Sequence, residues 1–255
     1  MKIVDAHAHI GPFPTLKQSE ADLLSQMESH GVSYALVSNG YAEEFPEEFA
    51  GKDQLSALME AVAFAKKHPD RIGVLCWIRP NQEELSEELK AYIEENLDLI
   101  HGFKFHPYAS RLAFDDPKLV PYLEYAMKLD LPFLVHTAVD ELSSIGHLVT
   151  VCKKYPDLKV CAAHLELFTD NEYALERLKE NPNLYGDTAW VSIHHLVAYK
   201  ELIGQGKIFF GTDIPVDEDI YGEKIYREYF ENKIGLEEED YAKLMQLNAE
   251  AFYRL

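Results

Sequence analysis

Ile3-Val4-Asp5-Ala6-His7-Ala8-His9 stands near the start of a 255-residue chain and decides how the rest is read. As a strand its side chains alternate, so Ile3, Asp5, His7 and His9 point one way while Val4, Ala6, Ala8 and Ile10 point the other. One face is apolar and must be covered. The other carries two imidazoles and a carboxylate, which are costly to bury unless they are hydrogen-bonded or bound to a metal. Two histidines two residues apart on a strand can chelate one divalent cation through neutral ring nitrogens. Taken alone, such a triplet is more often a pair of packed or solvated polar residues. The company it keeps further along the chain argues for the metal.

Outward from this strand, Gly11-Pro12-Phe13-Pro14 reads as a loop, and a helical pattern starting at Ser19 stops at Gly31. Short apolar runs then recur at 34–37, 72–78, 102–106, 132–135, 159–163, 184–187 and 208–210. Helical patterns separate them at 54–67, 83–95, after the Asp116-Pro117 cap, and at 145–155, 171–180 and 193–202. Two more helical segments, 222–232 and 237–253, finish the chain. Eight such strands, each followed by a helix, imply a parallel sheet covered on its outer face and closed by right-handed crossovers. The expected fold is therefore α/β, a single (β/α)8 TIM barrel over residues 1–255 with extra C-terminal helices. An open doubly wound sheet would place a Gly-rich phosphate loop after the first strand, and His9-Ile10-Gly11-Pro12 is not one. Segment 39–52, rich in Glu and carrying Phe45, Pro46 and Phe49, exceeds the usual loop length and reads as a lid or a solvated acidic loop.

Composition bounds the function. With 24 basic and 44 acidic residues the net charge is −20, which repels phosphate backbones and anionic lipid and argues against nucleic acid. Cys76, Cys152 and Cys161 are dispersed and odd in number, the usage of a reducing compartment. No apolar run approaches a membrane span and no secretory leader pattern precedes the first strand, so a cytoplasmic protein is expected.

In such a barrel the chemistry sits at the carboxyl ends of the strands. Here those ends read His7 and His9, then Arg79, then Lys104 and His106, then His136, His164, Asp187 and Asp213. Groups able to ligate or transfer protons thus close nearly every strand at one end. A chance arrangement would scatter them.

The stretches Asp5-Ala6-His7-Ala8-His9, Gly102-Phe103-Lys104-Phe105-His106-Pro107, Val135-His136-Thr137, Ala163-His164-Leu165, Gly211-Thr212-Asp213-Ile214-Pro215 and Asn248-Ala249-Glu250-Ala251-Phe252 together resemble the amidohydrolase superfamily. Within it the resemblance is to the amidohydrolase-related branch that includes the aminocarboxymuconate-semialdehyde decarboxylase type, and it covers essentially the whole chain. It implies a metal-dependent barrel enzyme. His7, His9, His136 and Asp213 match the metal-ligand positions, and His164 matches the sixth-strand histidine. Zinc, or another divalent metal such as Mn2+ or Fe2+, would there lower the pKa of water from near 16 to about 7. Asp213 would take a proton as base, and His164 would hydrogen-bond the water or donate to the leaving group.

Lys104, His106 and Arg79 are the expected substrate contacts, with Arg111 weighed beside Arg79 for a substrate carboxylate. A lysine near Lys104 is carboxylated and bridges two metals in some members of the superfamily; its depth makes a neutral or ion-paired buried amine the expected state here. Asp5 is expected to orient a neighbour. His30, His68, His101, His147, His194 and His195 fall on helices or turns and read as surface or capping residues. The expected function is a metal-dependent hydrolase of a small carboxylic ester, lactone or amide. The alternative is a lyase, a non-oxidative decarboxylase or hydratase of a small unsaturated acid. A non-catalytic binding barrel and a metal-dependent nuclease fit less well, the first because the ligand set is complete and the second because of the acidic charge. A homodimer is the prior for an enzyme of this kind.

Overall fold

The structure, a computed structural model, describes residues 2–13, 17–44, 51–214 and 220–255. Residues 45–50 of the expected lid and Pro215 of the eighth-strand motif lie outside the described residues. Eight parallel strands pair in chain order: β1 (Val4–Pro12), β2 (Tyr34–Asn39), β3 (Ile72–Trp77), β4 (Ile100–Phe105), β5 (Phe133–Ala138), β6 (Val160–Leu167), β7 (Leu184–Asp187) and β8 (Ile208–Phe209). The chain after β8 returns to β1, with Ala6 N–H donating to Phe210 O at 3.0 Å and His9 N–H to Ile214 O at 2.7 Å. The sheet so closed is the expected (β/α)8 barrel.

Local chemistry sets the helix ends. In α1 (Glu20–His30) Ser19 and Asp22 cap each other's backbone, and Gly31 leaves the helix at φ 71°. In α2 (Gln54–Lys67) the Asp53 carboxylate accepts from Ser56 N–H. Helix α3 (Glu87–Glu95) begins four residues later than the pattern suggests, since Ser86 caps it and Glu83 is drawn off to the Gln54 N–H and the Arg79 guanidinium. Helices α4 (Val120–Leu129), α5 (Ile145–Lys154) and α6 (Glu172–Glu180) stand where expected. The single helix expected over 193–202 is instead three short pieces, because Tyr199 departs from helical geometry at φ −125°, ψ 22°. Helix α7 (Lys224–Phe230) and a C-terminal run ending in α8 (Asn248–Tyr253) follow. That run contains a π-turn, Lys243–Leu247, whose Leu244 carbonyl accepts the Phe210 N–H at 2.9 Å.

Two apolar layers hold the barrel. Between strands and helices, Ala8, Ile10, Val37, Val74, Phe103, Phe105 and Val135 pack against the helices. Inside the amino end, Val4, Ala6, Leu36, Leu75, Leu134 and Phe209 fill the lumen, and α8 closes it with Phe252 and Tyr253. Strict alternation in β1 fails at one point. From Asp5 to Ala8 the strand takes three steps while its partner takes two, from Ala35 to Val37. This bulge lets Ala6 and His7 both face inward and leaves Asp5 on the helix side. Asp5 therefore does not share a face with His7 and His9. The expected loop at Gly11 and Pro12 is also corrected, since both extend β1 and pair antiparallel with Lys17–Gln18.

Candidate metal and substrate site

His7 and His9 enter the carboxyl end of the lumen from β1, and Asp213 meets them from the segment after β8. His7 Nε2 and His9 Nε2 lie 3.1 and 3.0 Å from Asp213 Oδ1. Each imidazole is aimed by its other nitrogen. His7 Nδ1 donates to the Asp187 carboxylate at 2.8 Å, and His9 Nδ1 lies 2.8 Å from Ser38 Oγ. Burial pushes the His9 ring down to about 4 and the His164 ring likewise to about 4, so both are neutral, and His164 keeps an unpartnered nitrogen lone pair. Burial alone would raise the Asp213 carboxyl, but electrostatic attraction to the surrounding His7 and His164 rings and the imidazole hydrogen bonds hold it well below the usual carboxylate range. Two imidazoles and a carboxylate within 4.8 Å of one another suit a divalent cation that accepts nitrogen and oxygen. His7, His9 and Asp213 could hold such an ion.

The remaining expected residues are placed around this group. His136 stands one ring further out, its centroid 3.9 Å from His106 and 4.7 Å from His164. His164 Nε2 is buried with no hydrogen-bond partner among the described residues, which leaves it available to a ligand. Lys104 Nζ, drawn below its ordinary pKa by burial, donates to His7 Nε2 at 2.7 Å. His106, pushed down to about 3 by burial, accepts the Ala109 N–H at 3.3 Å and stacks beneath Trp77. Arg79 is engaged elsewhere, with Glu83 at 3.0 Å and with Gln82 and the Lys52 carbonyl.

Several partners were not legible from sequence. Phe13 and Trp77 set their rings 5.3 and 5.5 Å from His9 and form an apolar wall of the mouth. A Cβ on Gly40 would meet the Phe13 ring at 2.6 Å, so that wall depends on glycine. Asn171 donates to the carbonyls of His164 (3.1 Å) and Leu165 (2.7 Å), and His195 holds Asn171 at 2.6 Å. His195, expected as a surface or capping residue, thus has a convergent partner. Asn171 supports an unusual backbone, since His164, Leu165 and Glu166 adopt φ of 67°, 49° and 67°. Left-handed residues other than glycine cost ~1–3 kcal/mol each and persist where surrounding contacts enforce them. Asp213 shares the feature at φ 64°. Asp5 accepts from the N–H groups of His7 (3.0 Å) and Thr212 (3.1 Å) and from the hydroxyls of Thr212 (2.6 Å) and Tyr221 (2.8 Å), which gives it the orienting position expected.

Among solved structures the chain is similar over its full length to 5-carboxyvanillate decarboxylase from Sphingomonas paucimobilis (15% identity, 99% of that chain, TM-score 0.76). It is similar also to 2,6-dihydroxybenzoate decarboxylase in complex with 2,6-dihydroxybenzoate (17% identity, all of both chains, TM-score 0.75). A third is the 5-carboxyvanillate decarboxylase of Novosphingobium aromaticivorans, complexed with manganese and 4-hydroxy-3-methoxy-5-nitrobenzoic acid (14% identity, all of this chain and 96% of that one, TM-score 0.77). At these identities the likeness establishes the fold. No curated protein matches the sequence. No helix among the described residues is long and apolar enough to cross a membrane. The amidohydrolase family model (Amidohydro_2) matches residues 4–255, and the chain therefore belongs to that family.

Proposed function

We propose that this chain is a metal-dependent lyase that decarboxylates a small, planar, unsaturated or hydroxyaromatic carboxylic acid without oxidation. This reading displaces the hydrolysis of an ester, lactone or amide expected from the sequence. The observation that carries it is the setting of Asp213, a 20%-exposed side chain held by His9, whose ring packs against Phe13 and Trp77, with the rings of His106 and His136 stacked beyond Trp77. A planar conjugated acid suits such a wall. The decarboxylases of like fold, two of them holding hydroxybenzoate-type molecules, support the same substrate class.

The reaction replaces carbon dioxide by a proton at one carbon. A proton adds to the carbon bearing the carboxylate, the carbon–carboxylate bond breaks, and its electron pair restores the conjugated system. Asp213 is ionised at rest and partly open to solvent, so it relays the proton, taking it from water and passing it to carbon. His164, through its bare Nε2, orients the acid's polar groups. Lys104 faces the substrate carboxylate from below, beside His7. His106, stacked between Trp77 and His136, lines the pocket for the ring. We assign His7, His9, His136 and Asp213 as the residues that hold the metal. When bound, that ion supplies the positive charge that fixes the acid against the site. Zinc and manganese both suit the donor set. The three cysteines are free and buried, which suits a reducing compartment such as the cytoplasm.

The test is product identity. Protein reconstituted with Mn2+ or Zn2+ is assayed with 2,6-dihydroxybenzoate, 5-carboxyvanillate and their methyl esters. Carbon dioxide release that is abolished by EDTA, and lowered about 10²–10⁴-fold by Asp213→Asn, is expected. Ester cleavage without carbon dioxide would return the assignment to hydrolysis.

A further inference from the structure

We infer that Tyr226 is a positioning residue whose hydroxyl couples the two loops that follow β7 and β8 and through them orients His164 and Asp213. The Tyr226 side chain, on α7, is fully buried behind the site. Its oxygen accepts the Trp190 N–H at 2.9 Å, and its hydroxyl donates to Thr212 O at 2.7 Å. Both contacts are on peptide groups that continue onward. The peptide joining Ala189 to Trp190 presents its carbonyl to His164 Nδ1 at 3.1 Å. The peptide joining Thr212 to Asp213 sends its N–H to His7 O at 2.7 Å. The donors run head to tail, from the His164 ring through two peptide groups and one phenol to the backbone of β1. Each bond polarises the next.

The chain has two consequences for the site. A carbonyl only accepts, so His164 must carry its proton on Nδ1, and Nε2 is left as a bare lone pair. That nitrogen is the one with no partner among the described residues. Trp190 and Asp213, at φ 59° and 64°, are the residues on either side of the phenol that hold left-handed backbone. Tyr226 satisfies one peptide group of each strained loop at once. Tyr229 offers an internal contrast. It is equally buried on the same helix and donates to Val191 O at 2.8 Å, one residue further along the β7 loop. It is not a link in the chain to Asp213.

The inference rests on His164 and Asp213 being site residues, so its first readout requires neither substrate nor metal. In the full-length protein labelled with 15N-histidine, the imidazole NMR signals of His164 should report the Nδ1–H tautomer. An Nε2–H tautomer breaks the chain at its first link and overturns the proposal, whether or not any variant folds. Tyr226→Phe should show a mixed or exchange-broadened His164 ring and bind Mn2+ about tenfold more weakly. Tyr229→Phe should lower the melting temperature by a similar amount, yet keep the His164 tautomer and hold Mn2+ affinity within twofold. Equal loss of Mn2+ affinity in the two variants, or no change in Tyr226→Phe, would assign Tyr226 a purely structural role. If wild-type protein releases no carbon dioxide from any acid tried, the functional reading fails while the tautomer result stands.

Discussion

At the amino end of the lumen the inward residues are Val4, Leu36, Leu75, Leu134 and Phe209, closed from below by Phe252 and Tyr253. At the carboxyl end, a few positions further along the same strands, they are His7, His9, Lys104, His136 and His164. The first layer is apolar and buried, and each large apolar side chain in it contributes about 1.5–3 kcal/mol by burial. The second layer costs free energy, because desolvation works against the charged form of every ionisable group it holds. One barrel thus separates the layer that keeps it folded from the layer proposed for chemistry, and α8 belongs to the first.

That separation can be broken in measurable ways. The largest expected effect is on the lower layer. Phe252, packed on Phe209 and Tyr185 at 5.1 and 4.7 Å between ring centroids, should cost about 3–5 kcal/mol of stability in Phe252→Ala. Urea unfolding measures this loss, and Mn2+ affinity of the folded fraction should stay within twofold. A matching loss of affinity would show that the plug also shapes the site.

In the upper layer, Ser38→Ala should do the opposite. It removes the partner of His9 Nδ1 and should weaken Mn2+ binding about 10–100-fold while the unfolding midpoint moves little. A competition titration with a metal-sensitive dye reads it, and unchanged affinity would mean that His9 is aimed by packing alone.

The smallest effect sharpens the cost of polarity near the mouth. Burial lifts the Glu44 carboxyl from 4.5 to about 6, and the Ser110 hydroxyl that donates to it only partly offsets this. The folded chain therefore holds that proton more tightly than the unfolded chain. Its contribution to stability is complete below pH 4.5 and is lost as pH rises through 6. Glu44→Gln should accordingly stabilise the protein by on the order of 1–2 kcal/mol at pH 8 and leave it unchanged at pH 4. Thermal melts across that window would show it, and a gain that is independent of pH would remove the carboxylate as its cause.

Much of the barrel is legible in the sequence. Period-two alternation in β4 correctly opposed Phe103 and Phe105 to Lys104, because neighbouring side chains on a regular strand must leave on opposite faces. The same rule misplaced Asp5, since a bulge arises from pairing with β2 and leaves no mark in local spacing. Arg79 shows a different limit. Its long side chain reaches Glu83, Gln82 and the Lys52 carbonyl, and strand position alone does not choose among them. His195 reads as a surface or capping residue because its partner Asn171 lies 24 residues away in the chain.

The order of strands and helices, and which strand ends carry histidine, aspartate or lysine, are written in the chain locally, since they follow from side-chain periodicity and from caps only a few residues long. Closure decided the rest. The bonds from Asp5 to Thr212, 207 residues apart, and from Tyr226 to two separate loops exist only once β8 has come round to β1. Contacts of that span are selected by the geometry of the finished barrel, and no local pattern encodes them.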